Sequence, residues 1–254
     1  MDAINASAMS HRSQRGYTLI EIMVALLIAV FLIGGILTVV QDNRRTFGNQ
    51  KLLSQLQDQE RLAMMMFTNV IEAAGYYPDP TVNASAALFP AAGSFAAGQF
   101  VTGSGDYTDV TPNSISVRFA TKPLDNILRC NGTPNTGAVA IAFVNTFSVK
   151  PDPDNNNVST LFCTLDGTDY ALVSGVTNLQ VLYGVRRAST GNSVDSYVSF
   201  SQMSSPADFQ HLLSVKVTLT FTNPMASSGS KQPATITFTR VIGVMGAGGI
   251  TTAS

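Results

Sequence analysis

An uncharged apolar stretch near the start of the chain most limits what this protein can fold into. From Ile22 to Val40 the sequence reads IMVALLIAVFLIGGILTVV, 19 residues without a charge. A helix of that length rises roughly 28 Å, which is close to the hydrocarbon thickness of a bilayer. The stretch therefore predicts a transmembrane helix.

The residues on either side of this stretch predict its orientation in the membrane and whether it is cleaved as a secretory signal. Arg12 and Arg15 precede it, and basic residues beside a membrane segment stay on the cytoplasmic side. We therefore expect a cytoplasmic N-terminus and export of the remaining chain. A cleaved secretory signal is the first alternative, but the stretch is too long, and VVQDNRRTF after it offers no small-x-small cleavage site.

Glu21 stands at the start of the apolar stretch, and a plain membrane anchor leaves this acid unexplained. A carboxylate at the centre of a membrane helix costs about 2.5–3.5 kcal/mol on insertion scales and less near the interface. Charged groups in this setting are normally paired. Glu21 therefore predicts a cationic partner.

The heptapeptide RGYTLIE, Arg15–Glu21, resembles the cleavage signal of type IV prepilins and type II secretion pseudopilins. The resemblance implies that a prepilin peptidase cuts between Gly16 and Tyr17 on the cytoplasmic face. It also implies N-methylation of Tyr17, where the family usually has Phe. Glu21 becomes the fifth residue of the mature chain, which is where the family places its acid.

This resemblance suggests a physical role for Glu21 in assembly. Cleavage creates an amine at Tyr17, a cation in or near lipid, and Glu21 is an anion in the same setting. A neighbouring subunit displaced along a filament axis can bring its own amine to this carboxylate. Each charge then offsets the desolvation cost of the other, so the pair sets axial register.

The helical pattern continues beyond the apolar stretch, over residues 49–74. GYYPDP follows it, where Gly75 suits a C-terminal cap and Pro78 prevents continuation. Three consecutive methionines, 64–66, are expected to fill gaps in the core. Apolar residues recur near the 3.6-residue period and predict a face that packs on a sheet: Leu52, Leu56, Ala63, Phe67, Val70 and Ala74.

Alternating apolar residues predict β-strands after the helix. Ser114–Ala120 and Leu212–Thr222 alternate most clearly, as half-buried antiparallel strands do. Weaker patterns are AVAIAFV, LFCTL, NLQVLYGV and TITFTRV, and loops are expected at 78–112, 131–137, 151–157 and 223–233. The expected fold class is α+β, with one long helix on an antiparallel sheet, which is also the pilin fold.

Together the patterns and the resemblance predict four segments. Residues 1–16 form a leader that the peptidase removes, and residues 17–40 form a transmembrane and filament-core helix. Residues 41–75 continue this helix as an amphipathic segment. Residues 76–254 form an exported, β-rich globular domain.

Two stretches in the exported part narrow the resemblance. IEAAGYYPDP after the helix, and LVSGVTNLQVLYGVRR at Leu172–Arg187, resemble the PilW-type minor pilins. This implies a protein that primes type IV pilus assembly, sits at or near the tip, and supports cell adhesion, twitching motility or DNA uptake. It implies an inner-membrane precursor with a periplasmic domain that later joins a cell-surface pilus. The implied partners are other minor pilins, the major pilin, the prepilin peptidase, the inner-membrane assembly platform and a tip adhesin.

Both cysteines, Cys130 and Cys163, follow the predicted anchor. They would therefore lie in a compartment where disulfides persist, and we expect a bridge between them. Free buried thiols are the alternative.

No pattern in the sequence supports catalysis or nucleic-acid binding. The only histidines are His11, in the leader, and His211, ahead of a predicted strand, and no G-x-S-x-G, H-E-x-x-H, C-x-x-C or Walker motif occurs. A net charge of −1 with 12% charged residues argues against a phosphate-binding surface. We expect neither an enzyme nor a cofactor.

PDPDNNN contains one candidate cation site. Asp152, Asp154 and Asn156 alternate as at the start of a calcium loop. The loop lacks the required Gly, and Cys163 occupies the twelfth position in place of Glu. A solvated turn is therefore favoured.

Two other functions are compatible with the sequence. A J-type pseudopilin of type II secretion shares the anchor and the general plan. A membrane-tethered ligand-binding domain would never enter a filament, and it would need neither Gly16 nor Glu21.

Overall fold

A long N-terminal helix and two antiparallel sheets make up the chain. The computed structural model describes residues 16–107, 111–187, 193–203, 205–226 and 231–245. The chain divides into two compact units, Met1–Lys51 and Leu52–Ser254. Helix α1 covers Leu19–Glu72 and contributes to both units.

In the first unit, every residue from Gly16 onward is exposed within this chain. The large apolar side chains of the helix are mostly uncovered, with Leu19 at 77% and Phe31 at 78% exposure. Among the described residues, α1 is the one helix long and apolar enough to cross a membrane. An apolar surface of this length is unfavourable in water, so lipid or other helices must cover it.

In the second unit, one stripe of α1 is buried. Five of the six predicted core positions are confirmed, whereas Leu52 remains 37% exposed. Of the three methionines, Met64 is fully buried and Met65 is half exposed. The buried residues of this stretch are Leu56, Ala63, Met64, Phe67, Val70, Ile71 and Ala74.

Gly75 redirects the chain after the helix, as expected. Its φ of 75° lies in the left-handed region that favours glycine. Its N–H donates to the carbonyl of Arg118 at 3.0 Å, and the N–H of Ala120 donates to the carbonyl of Tyr76 at 2.8 Å. The end of α1 is therefore fastened to the sheet by backbone hydrogen bonds.

The strands form two antiparallel sheets. The first has five strands in chain order: β1 Val101–Ser104, β2 Ser114–Thr121, β3 Ile141–Asp152, β4 Val158–Leu165 and β5 Thr168–Ser174. The second has the order β7-β6-β8-β9, with β6 Val176–Val185, β7 Ser196–Val198, β8 Leu212–Thr222 and β9 Thr235–Gly243. Two short helices, α2 Ser85–Leu88 and α3 Pro206–Gln210, lie in the connections.

The two strongest strand predictions are confirmed as β2 and β8, and the weaker ones correspond to β3, β4, β6 and β9. Two strands were not predicted. The first four residues of β5 are all exposed, so no alternation marks them, and β7 has only three residues. The expected loop at 78–112 contains α2 and β1, and residues 108–110 of it lie outside the described chain.

One core joins α1 to both sheets. Phe67 of the helix packs on Phe147 of β3, with ring centroids 4.2 Å apart. Leu219 of β8 and Tyr183 of β6 complete this core from the second sheet. Burial raises the pKa of Tyr183, since the phenolate cannot be solvated there.

The predicted bridge between Cys130 and Cys163 is confirmed, with Cα atoms 6.1 Å apart. Both residues are buried, and the N–H of Cys130 donates to Asn145 Oδ1 at 2.9 Å. Cys163 lies in β4 opposite Phe147 of β3. The bridge therefore fastens the long β2–β3 connection to the middle of the first sheet.

Arg118 organises the segment between α2 and β2. Arg118 lies on β2 and is 3% exposed. Its guanidinium donates to the carbonyls of Pro90 at 2.7 Å, Phe89 at 3.2 Å, Ala96 at 2.7 Å, and Gln99. It also lies over the rings of Phe89 and Phe95. Burial lowers the pKa of Arg118. One side chain thus orders a stretch that composition alone marks as loop.

Arg118→Met should destabilise the folded chain by about 3 kcal/mol, because several buried carbonyls would lose their donor. Thermal unfolding should shift downward, and limited proteolysis should cut first between residues 89 and 99. Arg240→Met makes the same chemical change at an exposed site and should leave both measurements unchanged. Equal effects of the two substitutions would contradict this role for Arg118.

Replacing both cysteines with serine should also lower stability. The bridge spans a sequence separation of 33 residues, and the chain-entropy model gives about 3–4 kcal/mol for a loop of that size. Denaturant unfolding with and without reductant measures the effect. The double variant should be insensitive to reductant, whereas the natural chain should lose stability when it is reduced.

Candidate processing and assembly site

The segment from Gly16 to Glu21 connects the predicted cleavage site to the first turn of α1. Gly16, Tyr17 and Thr18 precede the helix, and Tyr17 is 79% exposed. A Cβ at Gly16 would meet no described atom within 4 Å. Packing against the described residues therefore does not require glycine here, which favours a requirement set by a protein that binds the segment. The leader residues His11, Arg12 and Arg15 lie outside the described residues.

Thr18 caps the start of α1. Its carbonyl accepts from the N–H groups of Glu21 at 3.0 Å and Ile22 at 3.3 Å. Its Oγ1 also accepts from the N–H of Glu21, at 3.4 Å. An acid in the first turn of a helix interacts favourably with the helix dipole, typically by 0.3–1 kcal/mol. Sequence reasoning missed this cap, although T-x-x-E at Thr18–Glu21 is its usual signature.

The cap does not neutralise the carboxylate of Glu21. Glu21 is the only charged residue from Gly16 to Gln41, and its neighbours Ile20 and Ile22 are exposed apolar side chains. If lipid or other helices cover this surface, the carboxylate needs a cation to offset its desolvation. Tyr17 lies four residues earlier, about one helical turn away.

The apolar helix satisfies its own hydroxyl groups. Thr38 Oγ1 donates to the carbonyl of Gly34 at 3.0 Å, and Thr46 Oγ1 donates to the carbonyl of Asp42 at 2.9 Å. A polar group inside a bilayer must find its partner within the protein. The bond of Thr38 suits a helix surrounded by hydrocarbon, whereas Thr46 lies beyond the apolar stretch.

A comparison with protein families matches this site. Residues 11–37 match the family model described as Prokaryotic N-terminal methylation motif, and the match includes Gly16, Tyr17 and Glu21. The exposed apolar helix and the α+β fold agree with this match, and together they make the chain similar to membrane-anchored, type IV pilin-like subunits.

A second match concerns the exported part. Residues 146–246 match the family model described as Type IV Pilus-assembly protein W, over a range that includes β4 to β9. The two matches confirm the resemblance to PilW-type minor pilins. A comparison with curated proteins found no match.

The candidate cation loop forms a capped turn. Asp152, buried at the end of β3, accepts the N–H of Asp154 through Oδ1 at 3.1 Å. Asp154 and Asn156 are exposed, and Asn156 has a left-handed φ of 51°. Within the described ranges, no three or more His, Cys, Asp or Glu residues converge on a point. The Asp152 side chain therefore stabilises this turn.

His211 and two arginines that follow β6 lie close to α3. His211 ends α3 directly before β8, and its Nδ1 lies 3.0 Å from Arg186 Nη2. Arg187 is exposed, and its Nε forms an ion pair with buried Asp208 Oδ1 at 2.9 Å. Asp208 raises the pKa of Arg187. These residues join the end of β6 to α3.

An open groove of about 600 Å³ lies in the second unit. Its lining contains one ionisable side chain, Asp58. A lone carboxylate provides no acid–base pair, so the groove has no evident catalytic chemistry. The lining comprises Leu52, Gln55, Leu56, Asp58, Gln59, Val158, Ser174, Gly175, Phe221, Thr222 and Pro224.

Gly16→Val should block processing without disturbing the fold, because the structure has open space around this position. We expect the intact chain to retain residues 1–16, whereas the natural chain should begin at a methylated Tyr17. Mass spectrometry of the N-terminus makes the comparison. Gly34→Ala is the control, since a Cβ there also meets open space, and it should be processed normally. Removal of the leader from both variants would contradict the role of Gly16.

Proposed function

We propose that this protein is a minor pilin that takes part in priming type IV pilus assembly and sits at or near the pilus tip. The observation that carries the proposal is Glu21, a single acid in the otherwise uncharged and exposed segment from Gly16 to Gln41, inside a match to the methylation motif. The match of residues 146–246 to pilus-assembly protein W supports the minor-pilin class.

Maturation begins at the N-terminus. A prepilin peptidase removes residues 1–16, and the new amine of Tyr17 is methylated. Residues 17–40 then anchor the chain and later enter the filament core, and residues 41–75 continue the helix. Residues 76–254 form the exported domain, whose buried Cys130–Cys163 bridge suits an oxidising compartment.

Assembly joins Glu21 of this chain to the N-terminal amine of a neighbouring subunit. Moving the apolar helix from lipid to a bundle of similar helices changes little in apolar burial, so hydrophobicity alone selects no register. An uncompensated carboxylate in that bundle would cost several kcal/mol. Subunits therefore stack where each acid meets an amine, and Glu21 sets the axial position.

The proposed location follows from the charges around the anchor. Arg12 and Arg15 hold the N-terminus in the cytoplasm, so the precursor crosses the inner membrane once and its folded domain lies in the periplasm. Assembly then moves the subunit into a pilus on the cell surface. Its partners there are other minor pilins and the major pilin, with the assembly platform at the membrane and an adhesin at the tip.

The function is structural. Both matched families, pilus assembly and N-terminal methylation, describe structural proteins, and we propose no catalytic activity and no cofactor for this chain. Its contribution to adhesion, twitching motility or DNA uptake comes through the filament that it helps to start.

Glu21→Val should abolish priming while leaving the protein in the membrane. Removing the carboxylate removes an insertion cost of about 2.5–3.5 kcal/mol or less, so membrane levels should not fall. Without an acid to meet the neighbouring amine, we expect the number of surface pili per cell to fall by about tenfold or more. Electron microscopy counts the pili, and immunoblots of membranes measure the protein.

Two controls make the result specific. Asp42→Val removes an acid from the same helix just beyond the apolar stretch and should leave pili intact. Glu21→Asp keeps the charge and should restore part of the loss. Normal pilus numbers with Glu21→Val would favour a tethered ligand-binding domain. Normal pili with loss of protein secretion would favour a type II pseudopilin.

A further inference from the structure

Strand β9 forms the open edge of the second sheet. Among the described residues it pairs only with β8, in an unbroken register from Ser214 opposite Gly243 to Thr222 opposite Thr235. Its nine residues contain no proline and no bulge. Long regular edges of this kind are ready to pair with another strand, and most proteins block them.

The other three sheet edges are blocked. Strands β1 and β7 have four and three residues, too short to recruit a partner. Strand β5 is interrupted by a register shift opposite Leu161–Phe162 and carries Asp169 in an ion pair with Lys150. That contact holds the pKa of Asp169 below its usual value, so this edge stays charged. Among the described edge strands, β9 is therefore the one that is both long and regular enough to pair with another strand.

The pairing register shows which backbone groups of β9 face the open edge. Beyond its two ends, Ala234 accepts from the N–H of Asn223, and the N–H of Val244 donates to Leu213, each at 2.9 Å. Hydrogen-bonded pairs alternate along an antiparallel ladder, so the even-numbered residues bond to β8. The odd-numbered residues direct their N–H and C=O groups outward: Thr235, Thr237, Thr239, Val241 and Gly243.

The inward-facing side chains beside this edge are only partly covered. Ile236 and Phe238 pack on the core but remain half-buried, and Phe238 meets Phe221 of β8 edge to face at 5.7 Å. A further strand would carry side chains next to both and complete their burial. Apolar residues at alternate positions of that strand would suit this face.

Arg240 adds a charge preference to the same face. Alternate residues of a strand lie on the same face of a sheet, so Arg240 shares the face of Ile236 and Phe238. Arg240 is exposed. Within the described part of the chain, no ion pair of Arg240 with a carboxylate is found. A carboxylate on an adjoining strand would therefore find a cation directly across the edge.

We propose that β9 pairs with a strand from the exported domain of a different pilin-class subunit, which extends the second sheet across the subunit boundary. This strand supplies apolar residues beside Ile236 and Phe238 and an Asp or Glu near Arg240. Backbone hydrogen bonds provide affinity, and the alternating side chains provide specificity. The inference rests on the proposed function, because it identifies the surface that a minor pilin offers to a partner.

Charge favours a different subunit over a second copy of this chain. An antiparallel pair of two β9 strands centred on Thr239 would place Arg240 of each copy opposite Phe238 of the other. The two arginines would then be diagonal neighbours on one face, and like charges in that arrangement repel. A partner with a carboxylate there replaces the repulsion with attraction.

Photo-crosslinking of the full chain in its native cells tests the pairing. A photoreactive phenylalanine analogue at Val241 should crosslink to a protein whose own N-terminus has an apolar helix with an acid at the fifth mature position, identified by mass spectrometry. The same analogue at Tyr170 of β5 should not. No crosslink at Val241, or one only to a second copy or to a protein of another class, would overturn the proposal.

Thr237→Pro tests whether the backbone carries the contact. The N–H of Thr237 faces outward, so proline there removes no backbone hydrogen bond between β8 and β9 but blocks an approaching strand. The side-chain contact between Thr237 Oγ1 and Thr220 Oγ1, at 3.4 Å, is lost in the valine control as well. We expect the Val241 crosslink to fall by about tenfold, with the protein level and the Cys130–Cys163 bridge retained as folding controls. Thr237→Val keeps the N–H and should crosslink normally. Equal yields from both variants would refute strand pairing.

Arg240→Glu tests the charge preference, and Arg240→Lys is its matched control. Reversal of charge should reduce the crosslink strongly, whereas lysine should preserve most of it, and the opposite ranking would contradict a carboxylate partner. Pilus counts separate this inference from the proposed function. If Thr237→Pro has no effect while Glu21→Val abolishes pili, only the β9 proposal fails. If Glu21→Val leaves pilus numbers unchanged, the proposed function itself fails.

Discussion

The packing of one stripe of α1 against both sheets is the interaction on which the exported domain depends. Phe67, Met64 and Ile71 are fully buried and belong to the same core as residues from each sheet. Neither sheet covers both of its faces by itself, and a sheet with an exposed apolar face is unstable in water. The helix therefore does more than tether the domain, because its C-terminal part is one layer of the fold. Residues earlier in the same helix are apolar and uncovered, so a single element requires two different surroundings.

Single side chains replace regular structure in the long connections. Arg118 holds four carbonyls and two aromatic rings, and the Cys130–Cys163 bridge holds the β2–β3 connection. A buried guanidinium is tolerated here because its donors are met by backbone oxygens and its faces by rings. Such contacts keep long stretches of the chain ordered without further helices. They also leave the surfaces of those stretches free to vary, since the ordering residues point inward.

The sequence predicted the parts of this structure that rest on local periodicity. Ser114–Ala120 and Leu212–Thr222 alternate because each has one buried face, and the α1 stripe recurs because one side of a helix meets the sheets. The division into two sheets could not be predicted, since alternation marks a buried face without identifying the neighbouring strand. The strand β5 was missed because its first residues are exposed on both faces. The role of Arg118 was invisible because its partners are carbonyls far along the chain, whereas the Thr18–Glu21 cap was a local signal that was overlooked.

The position of the Thr18 cap has a consequence for maturation. Helix α1 begins at Leu19, so cutting the proposed Gly16–Tyr17 bond leaves every residue of α1 in place and breaks none of the described hydrogen bonds that start this helix. The described part of the chain from Tyr17 onward would then keep its fold, and the cut would add a free amine at Tyr17. A membrane could store a reserve of finished, inert subunits, and one peptide-bond hydrolysis would make each of them competent without any refolding.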